Sequence, residues 1–326
     1  MLSSKTSPSP KSEALFPPDR EEAPRQPRGQ EAAEAITFDP DGEWRAFYRA
    51  ANAPVSLVER FSAFRTLHPQ RQIQQEGASW RYRASGGGRP LLLLGARFGG
   101  SDFAWRLIEL LERRFRVLAV DYPALAQADA MVRGLSAILA AERLSGAAVL
   151  GAGFGGLLAQ RFADRRPDQT YALALLNAPA PLPRLANRYA GRAALLERLP
   201  PRWARELERR RFERLLASPP EERRFWRGYT DEVFAEQRPA GRSAALLRAA
   251  ADLHAIGGDS PSGLHRPVLI AETEGDRGAP QPALRRLPAR FPQAERLCFA
   301  YSAGHTVEIT RAREIAHALE QLLSRG

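Results

Sequence analysis

Two glycine-rich turns and two late loops contain the residues whose types and spacing could perform chemistry. The turns are Leu94-Gly95-Ala96-Arg97-Phe98-Gly99-Gly100 and Leu150-Gly151-Ala152-Gly153-Phe154-Gly155-Gly156. The loops are Glu274-Gly275-Asp276 and Tyr301-Ser302-Ala303-Gly304-His305. Glycine permits positive φ and brings backbone N–H groups close to a ligand, and a helix that begins there favours an anion or oxyanion. The carboxylate of Asp276 and the imidazole of His305 add groups that could bind or transfer a proton.

The second turn matches the dinucleotide-binding pattern G-x-G-x-x-G through Gly151, Gly153 and Gly156. That pattern needs a carboxylate about 20 residues further on, at the end of the next strand, to bind a ribose. Here the next apolar run ends in Asn177-Ala178-Pro179, without a carboxylate. The turn also follows the third or fourth predicted strand instead of the first. A dinucleotide-binding oxidoreductase is therefore a minor alternative.

Short apolar runs alternate with helical stretches from about residue 79 onward, and these elements must position the turns. The predicted strands are 79–83, 90–94, 116–120, 147–150, 171–176, 267–271 and 296–300. The strands that begin at 90, 116, 147, 171 and 267 are apolar on both faces, as central strands covered by helices must be. Between the strands, apolar residues recur at spacings of three and four, for example after Ser101, a predicted N-cap. The alternation predicts a doubly wound, mostly parallel α/β sheet.

The alternation breaks between about Pro183 and Ala255, where a helical, arginine-rich segment contains no strand run. An insertion at this place predicts a helical lid over the carboxyl ends of the strands, where such sheets bind ligands. Residues 1–36 are rich in Ser, Pro, Glu and Arg and predict a disordered tail. We therefore expect four parts, namely the tail at 1–36, a first part of the core at 37–183, the lid at 184–254 and a second part of the core at 255–326.

The order of glycine turns, helical segment, acid and histidine resembles the α/β-hydrolase superfamily. In that superfamily a G-x-S-x-G turn after a strand carries the nucleophile, and the triad follows in the order Ser, Asp or Glu, His. The resemblance implies an α/β-hydrolase fold with the lid inserted before the acid-bearing strand. It also implies that Asp276 is the acid, that His305 is the histidine, and that the oxyanion or ligand loop contains Gly95, Ala96, Arg97 and Phe154.

Within the superfamily the sequence resembles the maspardin-like proteins. The likeness rests on Phe64-Arg65, Pro69, Ile73, Trp80, Tyr82, Pro90-Leu91, Tyr122-Pro123 and the run 155–163. It extends from about residue 60 to the end of the chain and leaves the tail uncovered.

Gly153 stands where the resemblance would place the nucleophilic serine. Glycine has no side chain, so no alkoxide and no acyl-enzyme can form there. Leu94 before Gly95 also departs from the common His-Gly start of the oxyanion loop. The favoured hypothesis is a non-catalytic, serine-less member that binds a small-molecule ligand or an acidic protein partner. We also expect that Gly153→Ser alone does not restore good esterase activity.

The alternative hypothesis is a hydrolase or other enzyme for ester- or amide-type substrates. In it, His305 oriented by Asp276 acts as a general base, or a displaced nucleophile replaces the serine; a positioned general base typically contributes roughly 10²–10⁴-fold. Backbone N–H groups of Phe154 and of the turn at Ala96 and Arg97 would stabilise an oxyanion.

The remaining candidate residues have simpler structural explanations. Ser101 and Ser302 are explained as a helix cap and a loop hydroxyl. Arg97 is expected mainly to serve at the surface, with binding of a carboxylate or phosphate as the alternative. Cys298 is predicted to be a small core residue. The histidines without a motif, His68, His254, His265 and His317, are expected at surface or helix positions.

The composition limits the other classes of function. A single cysteine among 326 residues excludes a disulfide framework and a thiolate-rich metal site, and the five histidines lack zinc-site spacing. We therefore expect no metal and no cofactor. No apolar run is long enough for a membrane helix and the N-terminus has no apolar signal core, so we expect a cytoplasmic protein.

The net charge of +11 is concentrated in the predicted lid. Residues 183–254 contain 16 arginines and 10 acidic residues, more than half of the excess. No nucleic-acid-binding motif accompanies these arginines, so we expect no nucleic-acid partner. A basic lid instead favours acidic ligands or acidic partner surfaces.

Overall fold

The strands of the protein form one mixed sheet. The computed structural model describes residues 33–235, 241–257 and 264–324. Its strands are β1 (Glu34–Ile36), β2 (Gln70–Gln75), β3 (Ala78–Ser85), β4 (Arg89–Leu94), β5 (Phe115–Asp121), β6 (Ala147–Ala152), β7 (Thr170–Leu176), β8 (Val268–Thr273) and β9 (Glu295–Phe299). They lie in the order β1-β2-β3-β5-β4-β6-β7-β8-β9. The strands from β4 to β9 are parallel, and β1, β2 and β3 extend one edge in antiparallel pairing.

All seven predicted strands are present, with ends that differ by at most two residues, and the predicted fold class is confirmed. Each residue of β6 and of β7 is buried, as expected for central strands covered on both faces. The sequence reasoning missed β1 and β2. The reason is visible in β2, whose sequence QRQIQQ contains Ile73 as its single buried residue and so has no apolar run.

Helices cover both faces of the sheet. In chain order they are α1 (Arg45–Ala50), α2 (Val55–Leu67), α3 (Trp105–Leu111), α4 (Ala128–Ala141), α5 (Phe154–Arg165), α6 (Pro183–Arg198), α7 (Pro201–Leu215), α8 (Arg223–Val233), α9 (Arg242–Ala255), α10 (Gln281–Leu284), α11 (Leu287–Arg290), α12 (Val307–Thr310) and α13 (Ala312–Ser324). Leu107 of α3 and Ile315 of α13 lie in one hydrophobic core, and Leu135 of α4 and Leu158 of α5 lie in the other. The sheet is therefore doubly wound, with a core on each side.

Four helices, α6 to α9, stand between β7 and β8, in the place of the predicted lid. Within its described residues this segment contains no strand. Helix α6 packs along α9, and α8 packs against α1 near the N-terminal edge of the fold. Several of its arginines form ion pairs inside the segment, such as Arg210 with Glu206 at 2.7 Å and Arg248 with Glu197 at 2.5 Å. These pairs neutralise part of the segment's arginine charge locally.

A buried ion network joins three parts of the fold. Arg65 of α2 contacts Asp102 at 2.8 Å and Glu232 of α8 at 2.7 Å, and Arg83 of β3 lies 3.5 Å from Asp102. Tyr229 donates a hydrogen bond to Asp102 at 2.9 Å. Burial by itself would raise the pKa of the Asp102 carboxyl, but Arg65 and Arg83 outweigh it and lower that pKa to about 2. Asp102 is therefore ionised inside the protein.

The structure corrects several predictions. Of the predicted tail, residues 1–32 lie outside the described residues, but Glu34–Ile36 form β1, so the sheet begins before the expected boundary at 36. Ser101 is not an N-cap, because Ala104 precedes α3 and Ser101 accepts a hydrogen bond from Gln70. Cys298 is exposed, since β9 is an edge strand.

Two of the four histidines without a motif are also buried. His265 and His317 are exposed, and His317 lies in a helix, as expected. His68 and His254 are buried, although His254 does lie in a helix, α9. His68 hydrogen-bonds the Phe64 carbonyl at 2.7 Å and the Glu112 carboxylate at 2.6 Å, which explains how a polar ring is kept inside.

Candidate functional site

The turn between β6 and α5 is sharp and contains Gly153 at its apex. Gly153 has φ 52° and ψ −111°, and Phe154 begins the helix immediately after it. Residues other than glycine rarely adopt this backbone conformation. The Gly153 N–H donates to the Leu176 carbonyl at 3.0 Å, which ties the turn to the end of β7.

The other glycines of this turn serve close packing. A Cβ atom on Gly155 would collide with the Leu94 carbonyl, and one on Gly156 would collide with the Ala178 side chain. A Cβ on Gly151 would lie 2.5 Å from the Gly155 carbonyl oxygen. At Gly153, by contrast, the nearest atom to a Cβ would be His305 Nε2 at 3.5 Å, an ordinary contact. Packing of α5 on the strands therefore accounts for the G-x-G-x-x-G pattern, and Gly153 alone faces free space.

The acid and the histidine predicted from the resemblance lie in contact. Asp276 follows β8 and His305 follows β9, its parallel neighbour in the sheet, so the two groups reach the same edge although they are 29 positions apart in the sequence. Asp276 Oδ2 lies 2.9 Å from His305 Nδ1, and Asp276 Oδ1 accepts the Gly278 N–H at 2.8 Å. Asp276 is 4% exposed. This arrangement leaves Nε2 of the imidazole on the side of Gly153.

Asn177 supports the loop that carries the histidine. Its amide donates to the carbonyls of Gly304 at 3.2 Å and His305 at 2.8 Å, and its oxygen accepts the Thr273 N–H at 2.8 Å. Asn177 has φ 42°, which asparagine tolerates better than most residues. Sequence reasoning treated this residue only as a missing carboxylate. Its position at a strand end, next to the predicted site, was the signal for a positioning residue.

The predicted oxyanion loop divides into two parts. Ala96, Arg97 and Phe154 line the same cavity as Gly153 and His305, whereas the Gly95 carbonyl accepts a hydrogen bond from Tyr122 at 2.9 Å. Phe154 is the first residue of α5, so its N–H lacks a carbonyl one turn earlier in the helix. Arg97 is not at the surface: it is 7% exposed and forms an ion pair with Glu208 of α7 at 2.5 Å.

This cavity, about 70 Å³ in volume, lies between the sheet edge and the inserted helices. Helix α6 contributes Tyr189 and Arg192, α7 contributes Arg211 and Phe212, and α9 contributes Ala250. Among the described residues, no serine or cysteine lines it. Ser302 borders a larger, outer depression that reaches His305 from the other side, and buried Ser101 lines neither.

Two buried titratable groups lie near the site, and the sequence analysis did not predict either of them there. Glu308 follows His305 by three residues, is 3% exposed, and its Oε2 has no hydrogen-bond partner among the described residues. Burial raises the pKa of Glu308 to about 7, although the nearby His305 acts in the opposite direction. His254 stacks on Tyr189 and accepts the Leu182 N–H at 3.1 Å, and burial lowers the pKa of His254 to about 4.

These two groups should give opposite pH dependences of the free energy of unfolding. Glu308 stabilises the fold below pH 4.5 and loses that contribution as the pH rises to 7, whereas His254 stabilises it above pH 6.5 and loses that contribution as the pH falls to 4. Each amounts to about 3 kcal/mol. In urea unfolding between pH 4.5 and 6.5, the free energy of unfolding of Glu308→Gln should therefore fall more steeply on acidification than that of the wild type. That of His254→Gln should instead rise on acidification. The same pH dependence of the free energy of unfolding in both variants and the wild type would contradict the two pKa assignments. Glu314→Gln, a change at an exposed carboxylate, is the control and should follow the wild type.

Similar proteins share this architecture. The sequence profile described as the alpha/beta hydrolase fold matches residues 89–312. The pimeloyl-[acyl-carrier protein] methyl ester esterase of Chromobacterium violaceum is 29% identical over 246 residues, which cover 72% of this chain and 93% of that protein. A thermophilic esterase from Thermogutta terrifontis superposes with a TM-score of 0.63 at 18% identity, covering 78% of this chain and 98% of that one. An esterase from Rhodococcus sp. ECU1013 superposes with a TM-score of 0.62 at 22% identity, with the same two coverages.

Within the ranges that the structure describes, no group of three or more His, Cys, Asp or Glu side chains could hold a metal ion. No helix in those ranges has the length and apolar character needed to cross a bilayer.

Proposed function

Because the chain belongs to the α/β-hydrolase fold family, we propose that it is a serine-less member that binds a small-molecule ligand beside His305 without hydrolysing it. Gly153 carries this proposal. In this fold, the residue between the strand and the helix of the sharp turn supplies the nucleophile. A glycine at that point offers no oxygen or sulfur to attack an acyl carbon.

The described lining of the cavity offers no substitute nucleophile of the usual kind. Its hydroxyl groups belong to Tyr189 and Thr306. The Thr306 hydroxyl accepts the Ala217 N–H and donates to the Ala217 carbonyl, both at 2.8 Å. A hydroxyl held from both sides is poorly placed to attack a ligand, which supports a binding role.

The composition of the cavity also supports ligand binding. Phe98, Leu157, Phe212 and Leu215 give it an apolar body, and a few polar groups enter at one side. This mixture is typical of pockets for small molecules. In our proposal helices α6 to α9 act as the lid of this pocket. Because the lid also has exposed arginines, an acidic protein partner remains a further prediction.

We also propose that the chain belongs to the maspardin-like subgroup. This assignment rests on the sequence likeness described under Sequence analysis. Trp80 and Tyr82, two residues of that likeness, are buried in the core, so packing is a sufficient reason for their presence.

One observation favours a second candidate, an enzyme without a covalent intermediate. The His305–Asp276 pair is fully assembled, with Nε2 facing the cavity. In such an enzyme Nε2 would take a proton from water while the water oxygen bonds to an acyl carbon, and the departing alkoxide would then take that proton. The Phe154 N–H would stabilise the oxyanion.

The proposal is tested with purified protein, a fluorophosphonate probe and a panel of p-nitrophenyl esters. We expect no covalent labelling, and no ester turnover beyond that of His305→Ala. Turnover that disappears in both His305→Ala and Asp276→Asn would replace the proposal with the general-base enzyme. Labelling of a residue in the cavity would replace it with a hydrolase that uses a displaced nucleophile.

A further inference from the structure

The cavity beside His305 carries an excess of positive charge. Arg97, Arg192 and Arg211 line it, and no acidic residue among the described ones does. Glu208, buried behind the cavity wall, is shared by two of these arginines, at 2.5 Å from Arg97 and 3.5 Å from Arg192. No carboxylate in the described part of the chain lies within ion-pair distance of Arg211. Three guanidinium groups therefore face one counter-charge.

The third guanidinium is held there at an energetic cost. Arg211 is half-buried, and burial, together with repulsion from Arg192 and Arg97, lowers the pKa of Arg211 to about 10. The group is still charged at neutral pH, but its charged form is less stable than in water. An anion in the cavity would relieve this repulsion, since a buried cation is stabilised by an opposite charge nearby.

The rest of the cavity restricts what such an anion can be. Phe98, Phe154 and Phe212 supply aromatic surface, and Phe154 brings the N-terminus of the 12-residue helix α5, an end that favours anions, to the cavity wall. The cavity has a volume of about 70 Å³. The planar guanidinium fork fits the two oxygens of a carboxylate.

We infer that the cavity selects a small organic carboxylate on an apolar or aromatic body, with Arg211 and Arg192 binding the carboxylate oxygens. This inference rests on the proposed function, because it names the class of ligand for the same pocket. Arg97 is paired with buried Glu208, so it stabilises the cavity wall and needs no ligand to compensate its charge.

Calorimetric titration with benzoate, at low salt because such contacts are screened, tests the inference. We expect saturable binding to the wild type and at least about 10-fold weaker binding to Arg211→Gln, the factor expected when a charged hydrogen bond is lost. Benzamide, which has the same shape without the charge, should bind the wild type at least about 10-fold more weakly than benzoate does.

Arg210→Gln is the matched control. It removes the same charge from the adjacent residue of α7, but its side chain is 70% exposed, pairs with Glu206 and does not line the cavity. It should bind benzoate as the wild type does. An equal loss in Arg210→Gln and Arg211→Gln, equal binding of benzoate and benzamide, or no saturable binding of benzoate would each overturn the inference. None of these results measures hydrolysis. The non-catalytic proposal would be overturned by a different result, namely ester turnover that depends on His305.

Discussion

Gly153→Ser is expected to be labelled by fluorophosphonate probes at residue 153, where the wild type is expected to remain unlabelled. A Cβ at this position would lie 3.5 Å from His305 Nε2, which brings the serine hydroxyl within hydrogen-bond reach of the imidazole. Asp276 already holds that imidazole at 2.9 Å. As the serine oxygen bonds to phosphorus, its proton passes to Nε2 and fluoride leaves. Intact-mass spectrometry, with peptide mapping, measures the labelling.

Two variants control this experiment. Gly153→Ala imposes the same backbone strain, of order 1–3 kcal/mol at φ 52°, but has no hydroxyl and should not be labelled. Gly153→Ser combined with His305→Ala should lose the labelling. Ester turnover by Gly153→Ser should stay low, because Leu94 still precedes the oxyanion loop and the change leaves that loop as it is. A folded Gly153→Ser protein that remains unlabelled would contradict the placement of His305 beside residue 153.

Asp102→Asn should lower the free energy of unfolding by about 3–5 kcal/mol, the cost typical of removing one partner from a buried ion pair. The change keeps the shape of the side chain and removes its charge. Arg65 would retain Glu232, but Arg83, which is 5% exposed, would lose the carboxylate 3.5 Å away. Urea unfolding at pH 7 measures the loss.

The control for this prediction is Glu109→Gln. Glu109 pairs with Arg60 at 2.6 Å, but the Arg60 side chain is 59% exposed, so the change should cost no more than about 1 kcal/mol. The ionisation of Asp102 can be checked independently. Because its pKa is lowered in the folded protein to about 2 from 3.8, wild-type stability should fall as the pH drops from 4 toward 2, and Asp102→Asn should lack that part of the fall. Similar losses in Asp102→Asn and Glu109→Gln would show that the network contributes little.

The parallel part of the sheet could be predicted because its strands carry their own signal. Strands such as β7 are buried along their whole length, and only an unbroken apolar run satisfies that environment. The antiparallel edge could not be found in this way. In β2 polar side chains surround the single buried Ile73, and the strand is held by pairing with β3, a partner that a local pattern does not identify.

Within the site, only the residues that directly follow strands could be predicted from the sequence. Asp276 and His305 come directly after β8 and β9, and a sheet brings such positions together. Arg211 and Glu208 belong to α7, whose placement over the cavity depends on tertiary packing between helices. Arg97 was expected at the surface for the same reason, because its partner Glu208 is more than 100 residues away in the chain.

The glycines of the sharp turn differ in how freely evolution can exchange them. Gly151, Gly155 and Gly156 are each fixed by a different neighbouring atom, so any larger residue there would displace the backbone. Residue 153 is the exception, since space for a side chain has been kept beside a histidine and an aspartate that are still in contact. A lineage with this turn could gain or lose a side chain at residue 153 through a single codon, with the rest of the scaffold unchanged. For such a scaffold, residue 153 can change without any rebuilding of the turn around it.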